Sequence, residues 1–596
     1  MAVYQAPLRE MRFVLYELLD AGELCRLPGY EQATPELIDA VLEEAAKLCE
    51  RELFPLNLPG DAEGCHFENG VVRTPKGFKE AYRIYVDGGW TALSCHPEYG
   101  GQGMPHTVAS LVQEMICSAN LSFGIYPLLS HGAYNALYRH ATEELKQLYL
   151  PKLADGSWSG TMCLTEPQCG TDLGLVRTKA VPAADGSYRI TGTKMFISAG
   201  EHDLTENIVH LVLAKLPDTP PGTKGISLFL VPKFLPTGDG RPGASNGVTC
   251  GAIEHKMGIK ASATCVMNFD DATGWLVGKP HGGMRAMFTM MNGARLGVGT
   301  QGLGVGTTAY QSAVAYAKER RQGQSLAKRG VASAGADPII VHPDVRRMLL
   351  ECRAINEAAR ALACWVGLLS DRAERHPDPK EREAADDLVA LLTPVIKAAL
   401  TDHAVEAANN ALQVLGGHGY IHEWGVEQLA RDARITQVYE GTNGIQALDL
   451  VGRKLGQDAG RLLRRFFHPV SAWLAAHADD AALAPYVGPT AKAFGRLQQA
   501  TLFVAQRGMA RPEEAGAAAT DYLKLFSLVA FAFMWCRMAE VAYAKLPNAE
   551  AEAGFYQAKL AVGAFFMARV LPRHASHFQA AMAGGETLMQ LPEEAF

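Results

Sequence analysis

The chain has 596 residues, more than one hydrophobic core can serve, so several domains are expected. Apolar residues make up 48% and charged residues 20%, the balance of an ordinary globular protein rather than of a disordered or membrane-embedded one. A formal net charge of −7 gives no general attraction to nucleic acid or to an anionic membrane. Residues 1–156 read as mainly helical. Pro35–Phe54 carries apolar residues at three- and four-residue spacing with a proline at its start, and Val108–Phe123 and Thr142–Gly156 continue the pattern after a Gly/Pro loop at Pro97–Pro105. Over 157–278 the period changes to two. Tyr188–Ser198, His210–Lys215, Ile226–Val231 and Ala263–Asp270 are short, β-branched and bounded by Gly, Pro and Asp, with Pro217–Gly225 and Pro236–Gly247 as exposed turns. Helices return over 279–456, where Arg295–Gln322, Val345–Asp371 and Val389–Gly417 present Ala-rich faces that suit an antiparallel bundle. Residues 457–596 form a further Ala-rich helical block, with soft edges at Gly456–Arg461 and Arg511–Thr520. The expected class is α+β: a helical domain, a β domain, a helical bundle and an additional helical domain.

Several readings are excluded or weakened. The 12 cysteines contain no CxxC pair and no Cys/His cluster at zinc spacing, so they read as reduced, mostly buried thiols of a cytoplasmic protein with no metal site. The start, MAVYQAPLREMRF, lacks the apolar core of a signal peptide. The longest apolar run, Leu525–Cys536 between Lys524 and Arg537, is too short to span a bilayer and reads as a buried helix. GLGVG at Gly302–Gly306 follows no strand, so it reads as close helix packing rather than as a dinucleotide-binding turn.

Two stretches have the chemistry of a flavin site. A flavin asks for hydrogen bonds along its pyrimidine edge, a donor near N5, and backbone N–H groups, hydroxyls or arginine at its pyrophosphate. TEPQCGTD offers Thr165 and Thr171 around Gly170, which permits close backbone approach. FIS offers Phe196 as a wall and Ser198 as a short donor. Taken singly they fit a polar turn and a half-buried strand; taken together they favour a flavin. Further along, YAKERRQG ends a helix with Arg320, Arg321 and Gln322, and LQVLGGHGY ends another at Gly416-Gly417 with Gln413 one turn earlier. Alone these are a solvated face and a helix C-cap. Glu440 stands between Tyr439 and Gly441-Thr442 in an apolar, uncharged run. A carboxylate in apolar surroundings has a raised pKa and suits a general base near neutral pH, while a carboxylate in a turn beside a helix N-terminus is an equal alternative.

Six stretches settle the comparison: TEPQCGTD, GTKMFISAG, KMGIKASAT, YAKERRQG, QVLGGHGY and RDARITQVYEGTNGIQ. In order and spacing over residues 35–455 they resemble the acyl-CoA dehydrogenase family. YQAPLREMRFVL, PEYGGQGMP and the C-terminal block resemble the long bacterial branch that includes 3-methylmercaptopropionyl-CoA dehydrogenases and FadE-like enzymes. The resemblance implies FAD and the conversion of an acyl-CoA thioester to its trans-2-enoyl-CoA, with Glu440 removing the α-proton, flavin N5 accepting the β-hydride and an electron-transfer flavoprotein taking the electrons. It implies flavin contacts from Leu164, Thr165, Gly170, Thr171, Phe196 (where the family often has Trp), Ile197, Ser198, Thr442 and Asn443. It adds Gly416 to the cofactor contacts and places Arg320, Gln322, Gln413 and Gly417 on the flavin of a neighbouring subunit, hence a homo-oligomer. A dimer is preferred to a tetramer, because the extra C-terminal domain would cover the surface on which shorter relatives pair their dimers. Substrate contacts fall to Thr171, Arg295 and Gly441. Two departures matter. The family's QFG reads QGQ at Gln322–Gln324, and a Glu at 440 argues against the branch that carries its base on a different helix. The rival readings are an acyl-CoA oxidase and a DNA-binding flavoprotein relative, the latter resting only on the basic cluster RLLRR at 461–465.

Overall fold

The computed structural model describes residues 2–328 and 335–596. The chain divides into two compact units, one of residues 1–43, 106–114 and 298–596, the other of residues 44–105 and 115–297.

The second unit is built on a seven-stranded sheet. Strand Ile226–Pro232 pairs with Thr264–Val277 on one side and with Asn207–Lys215 on the other, which closes a barrel-like ring. Its interior is filled by Ile190, Val212, Phe229, Val231, Cys265 and Phe269. Asn207–Lys215 pairs in parallel with Trp158–Cys163, and both faces of the strand are buried, which is why its sequence runs nearly continuously apolar instead of alternating. The four expected strands are present, although two of them, Asn207–Lys215 and Ile226–Pro232, are buried on both faces and do not follow the two-residue period. That period does not reveal Trp158–Cys163, Lys179–Pro182 or Val248–Ile253, because Gly, Ser and Pro mask it there, and part of the expected turn at Pro236–Gly247 is a short strand, Pro242–Ser245. The predicted helix Val108–Phe123 is two helices. Asn120 is extended (φ −158°, ψ 96°), its side chain accepts the Phe123 N–H at 3.0 Å, and its amide donates to Leu53 O at 3.2 Å. One asparagine thus starts the helix Leu121–His140.

The first unit is helical. Its long helices are Pro343–Arg375, Pro379–Leu415 and the C-terminal part of Gly283–Glu319, followed by Arg461–Ala476, Ala484–Ala510, Pro512–Lys545 and Ala553–Phe565. The glycines of Gly302–Gly306 act in helix packing. A Cβ on Gly302 would lie 2.5 Å from Leu400 O, and one on Gly306 would lie 2.7 Å from Asn356 Oδ1. Gly302→Ala is therefore expected to lower stability by about 1–3 kcal/mol through overpacking. A thermal scan checks it; an unchanged midpoint would show that helix Pro379–Leu415 can move aside.

The soft edge expected at Arg511–Thr520 is a single residue. Arg511 alone is extended (φ −144°, ψ 106°), and Pro512, Glu513 and Glu514 open a 34-residue helix as a proline and acids at an N-terminus should. Leu525–Cys536 lies in the middle of that helix, and Trp535 donates its indole N–H to Ala354 O at 3.0 Å. By length and composition Pro379–Tyr420 and Pro512–Asn548 could cross a membrane; 72% and 78% of their most apolar windows are buried, as in core helices of a folded domain.

Candidate active site

In the barrel-containing unit, TEPQCGTD forms the loop after strand Trp158–Cys163. Glu166 and Cys169 exchange backbone hydrogen bonds at 2.8 and 2.9 Å, which folds the loop into a tight turn. The turn is clamped from below. Buried Lys194 donates to Glu166 Oε1 at 2.8 Å and to Leu164 O at 3.0 Å. The same carboxylate receives the Thr178 hydroxyl at 2.6 Å and the Arg177 N–H at 2.7 Å. Burial alone would raise the Glu166 pKa; the Lys194 charge and these hydrogen bonds outweigh it and hold the carboxyl at about 2. Above the clamp Gly170, Thr171 and Asp172 are exposed, and Thr165 is half-buried with its carbonyl accepting the Met195 N–H at 2.9 Å.

Met195 leads directly to Phe196-Ile197-Ser198. The strand bulges here against Thr264–Val277, and Phe196 and Ala199 adopt left-handed backbone conformations, φ 57° and 54°. For a bulky residue that conformation is strained, and strain of this kind gathers at functional sites. Its result is that Phe196 turns outward, 56% exposed, while Ile197 is buried in the barrel core and has only its backbone to offer a ligand. Ser198 is half-buried opposite Thr264. An exposed ring, hydroxyls at 165, 171 and 198, and a Gly170 with open space where a Cβ would be make a donor set that fits an isoalloxazine and its pyrophosphate. Arg295, expected to reach a substrate, is buried at 5% exposure.

In the helical unit, Glu440 lies in the turn between helices Val426–Thr436 and Asn443–Asp449. It is half-buried, and both it and Gly441 have left-handed backbones, φ 57° and 81°. The turn is over-determined. Gln446 Nε2 donates to the carbonyls of Glu440 and Gly441, each at 3.2 Å. Thr442 caps the following helix by accepting the Ile445 N–H at 3.3 Å. Asn443 Oδ1 accepts from Lys397 Nζ, a buried ammonium on helix Pro379–Leu415, at 2.9 Å, and Asn443 Nδ2 donates to Asp402 Oδ1 at 2.7 Å. Gln437 donates to the same Asp402 oxygen at 2.7 Å, and the Tyr439 hydroxyl donates to Gln301. Asn443 is thus a structural member of this network. Sequence reasoning missed Glu166, Lys194, Lys397, Asp402 and Gln446; only Lys397 and Asp402 carried a signal, a charge in a mainly apolar helical run.

The same unit gathers a second, exposed corner. Arg320, Gln322, Gln413, Gly416 and Gly417 are all exposed. Their two segments are tied together by the Tyr316 hydroxyl and His418 Nδ1 at 2.9 Å, and His418 stacks on Trp424 at 4.4 Å. A Cβ on Gly416 or Gly417 would meet nothing within 4 Å, so both backbones are open to a ligand.

Four family models match the chain in succession. They are the acyl-CoA dehydrogenase N-terminal domain over residues 36–157, its middle domain over 161–272, its C-terminal domain over 281–455, and the acetyl-CoA dehydrogenase C-terminal-like domain over 466–592. The chain belongs to the acyl-CoA dehydrogenase family: it is an oxidoreductase of that class and uses FAD. Among its relatives, 3-methylmercaptopropionyl-CoA dehydrogenase of Ruegeria pomeroyi is 42% identical over 98% of this chain and 99% of its own length. A butyryl-CoA dehydrogenase of Syntrophomonas wolfei is 36% identical over 100% of this chain and 99% of its own. The solved structure of an acyl-CoA dehydrogenase from Bacillus anthracis complexed with FAD superposes with a TM-score of 0.74 over 97% of this chain and 92% of that one; at 21% identity it speaks for the fold alone.

Proposed function

We propose that this chain removes the α and β hydrogens of an acyl-CoA thioester, giving the trans-2-enoyl-CoA, with a 3-methylmercaptopropionyl-CoA-like or a medium- or long-chain straight acyl-CoA as substrate. The observation that carries the reading is Glu440, a carboxylate held half-buried in a left-handed turn by Gln446, Asn443 and Lys397. Glu440 takes the α-proton. Its backbone N–H is the protein donor assigned to the thioester oxygen, and one such donor is worth roughly 3–4 kcal/mol in comparable sites. FAD, when bound, supplies the acceptor for the β-hydride. Leu164, Thr165, Gly170, Thr171, Phe196, Ile197 and Ser198 hold the flavin, Ile197 through its backbone only. Arg320, Gln322, Gln413, Gly416 and Gly417 serve the flavin of a second subunit in a homodimer, and their common exposure supports that assignment. Electrons pass to an electron-transfer flavoprotein, and the setting is the cytoplasm. The substrate preference follows the name of the Ruegeria relative, which matches along nearly the whole chain.

The test is the visible spectrum of the purified protein, titrated anaerobically with 3-methylmercaptopropionyl-, butyryl-, octanoyl- and palmitoyl-CoA. Bleaching of the flavin band by one class names the substrate. A band that none of them bleaches overturns the reading, and rapid reoxidation by oxygen alone would make the protein an oxidase. Arg320→Ala is expected to lower the FAD content per chain after gel filtration; unchanged content returns Arg320 to a solvated face. Elution at the mass of four chains would overturn the dimer.

A further inference from the structure

We infer that residues Ala2–Gln5 are positioning residues for the exposed corner at Gln413–Trp424, and that they tie flavin binding there to the additional C-terminal domain. The inference rests on the flavin role given above to Gln413, Gly416 and Gly417. The first part of the strap runs along the last turns of helix Gly283–Glu319. Ala2 donates its N–H to Trp424 O at 2.8 Å, and Val3 donates to the Ser312 hydroxyl at 3.0 Å. Gln311 clasps Gln5 from both sides. Its Oε1 accepts the Gln5 N–H at 2.8 Å, and its Nε2 donates to Gln5 O at 2.7 Å. A side-chain amide here replaces the paired strand a β-ladder would provide. Trp424, at the end of this chain of contacts, stacks on His418, which is bonded to Tyr316. The turn it braces is otherwise exposed, with Tyr420 at 87% and Ile421 at 47%.

The other end of the strap is anchored in the C-terminal domain. Arg9 makes a two-point contact with Glu552 at 2.7 and 3.2 Å and lies 4.0 Å from the Phe555 ring centroid. Glu10 pairs with Lys559, whose ammonium is buried and also holds Glu357 at 2.7 Å. Phe13 meets the edge of Phe555 at 5.5 Å and is itself fully buried. A segment bonded firmly at 9–13 delivers its first four residues to the turn at little further entropic cost. The matched N-terminal family domain begins only at residue 36, so this strap lies outside it.

The experiment uses the full chain with FAD and compares three variants: deletion of Ala2–Gln5, Gln311→Leu and Gln5→Ala. Backbone hydrogen exchange is read over 413–424, and FAD affinity is read by fluorescence titration. Deletion and Gln311→Leu are expected to speed exchange over 413–424 and to weaken FAD binding about tenfold, or 1.4 kcal/mol. Gln5→Ala is expected to change neither, because only the Gln5 backbone is held. Unchanged exchange in the first two variants overturns the brace. Faster exchange with unchanged FAD affinity overturns its link to the flavin. A loss in Gln5→Ala equal to that of the deletion would also overturn the backbone account. Wild-type protein that binds no FAD would instead remove the functional reading on which the inference stands.

Discussion

Glu440→Gln is expected to keep its FAD and to lose flavin reduction by acyl-CoA by about 10²–10⁴-fold, the contribution of a positioned general base. Glutamine keeps the length of the side chain and the hydrogen bonds that Gln446 makes to the 440 and 441 carbonyls, so the turn should survive. Glu440→Gly separates chemistry from backbone. Its left-handed φ of 57° is strained for glutamate and comfortable for glycine. That substitution should abolish reduction yet raise stability by about 1 kcal/mol, since a left-handed L-residue costs of order 1–3 kcal/mol. Normal reduction by Glu440→Gln in stopped-flow would remove Glu440 as the base. A Glu440→Gly protein less stable than the wild type would show that the side chain supports the fold, and that the turn is not strained for the sake of catalysis.

The order of domains was legible because the hydrophobic period changes from three or four residues to two near residue 157 and back near 279. The element edges were less so, since they depend on single residues whose geometry is invisible in the pattern. Asn120 could have continued a helix, and it ends one because its amide finds Leu53 O. Glu440 and Phe196 stood out as residue types in motifs, but not as strained positions. The strain belongs to the backbone, and bonds made outside the residue itself fix it: Gln446 holds the Glu440 carbonyl, and Met195, next to Phe196, donates its N–H to Thr165 O. The Asp402 network and the strap at Ala2–Gln5 were illegible for a related reason. The first joins residues 35 and 41 positions apart, and the second acts through main-chain groups that every residue carries.

Lys194→Met should show the largest loss of stability, about 3–5 kcal/mol, because it leaves the Glu166 carboxylate buried beside an apolar side chain. The pH dependence identifies the cause. In the wild type the Glu166 pKa, at about 2, lies below its ordinary 4.5, so the pair's contribution is complete above pH 4.5 and is lost as the pH falls through 2. Without Lys194, burial acts against the charged form with one opponent fewer, and the folded-state pKa rises. The deficit of the variant should therefore be largest at neutral pH and shrink on acidification below pH 4.5, where Glu166 is neutral in the unfolded chain and costs less to bury. Adding Glu166→Gln to Lys194→Met should recover part of the loss at neutral pH, since no charge is then stranded. The loop consequence follows from the second bond of Lys194, to Leu164 O at 3.0 Å. With it gone the loop through Thr165, Gly170 and Thr171 has lost its floor, and FAD retention should fall in both variants, including the one whose stability partly returns. A deficit independent of pH would show instead that the lysine matters for its packed stem, and that the clamp holds the loop by shape rather than by charge.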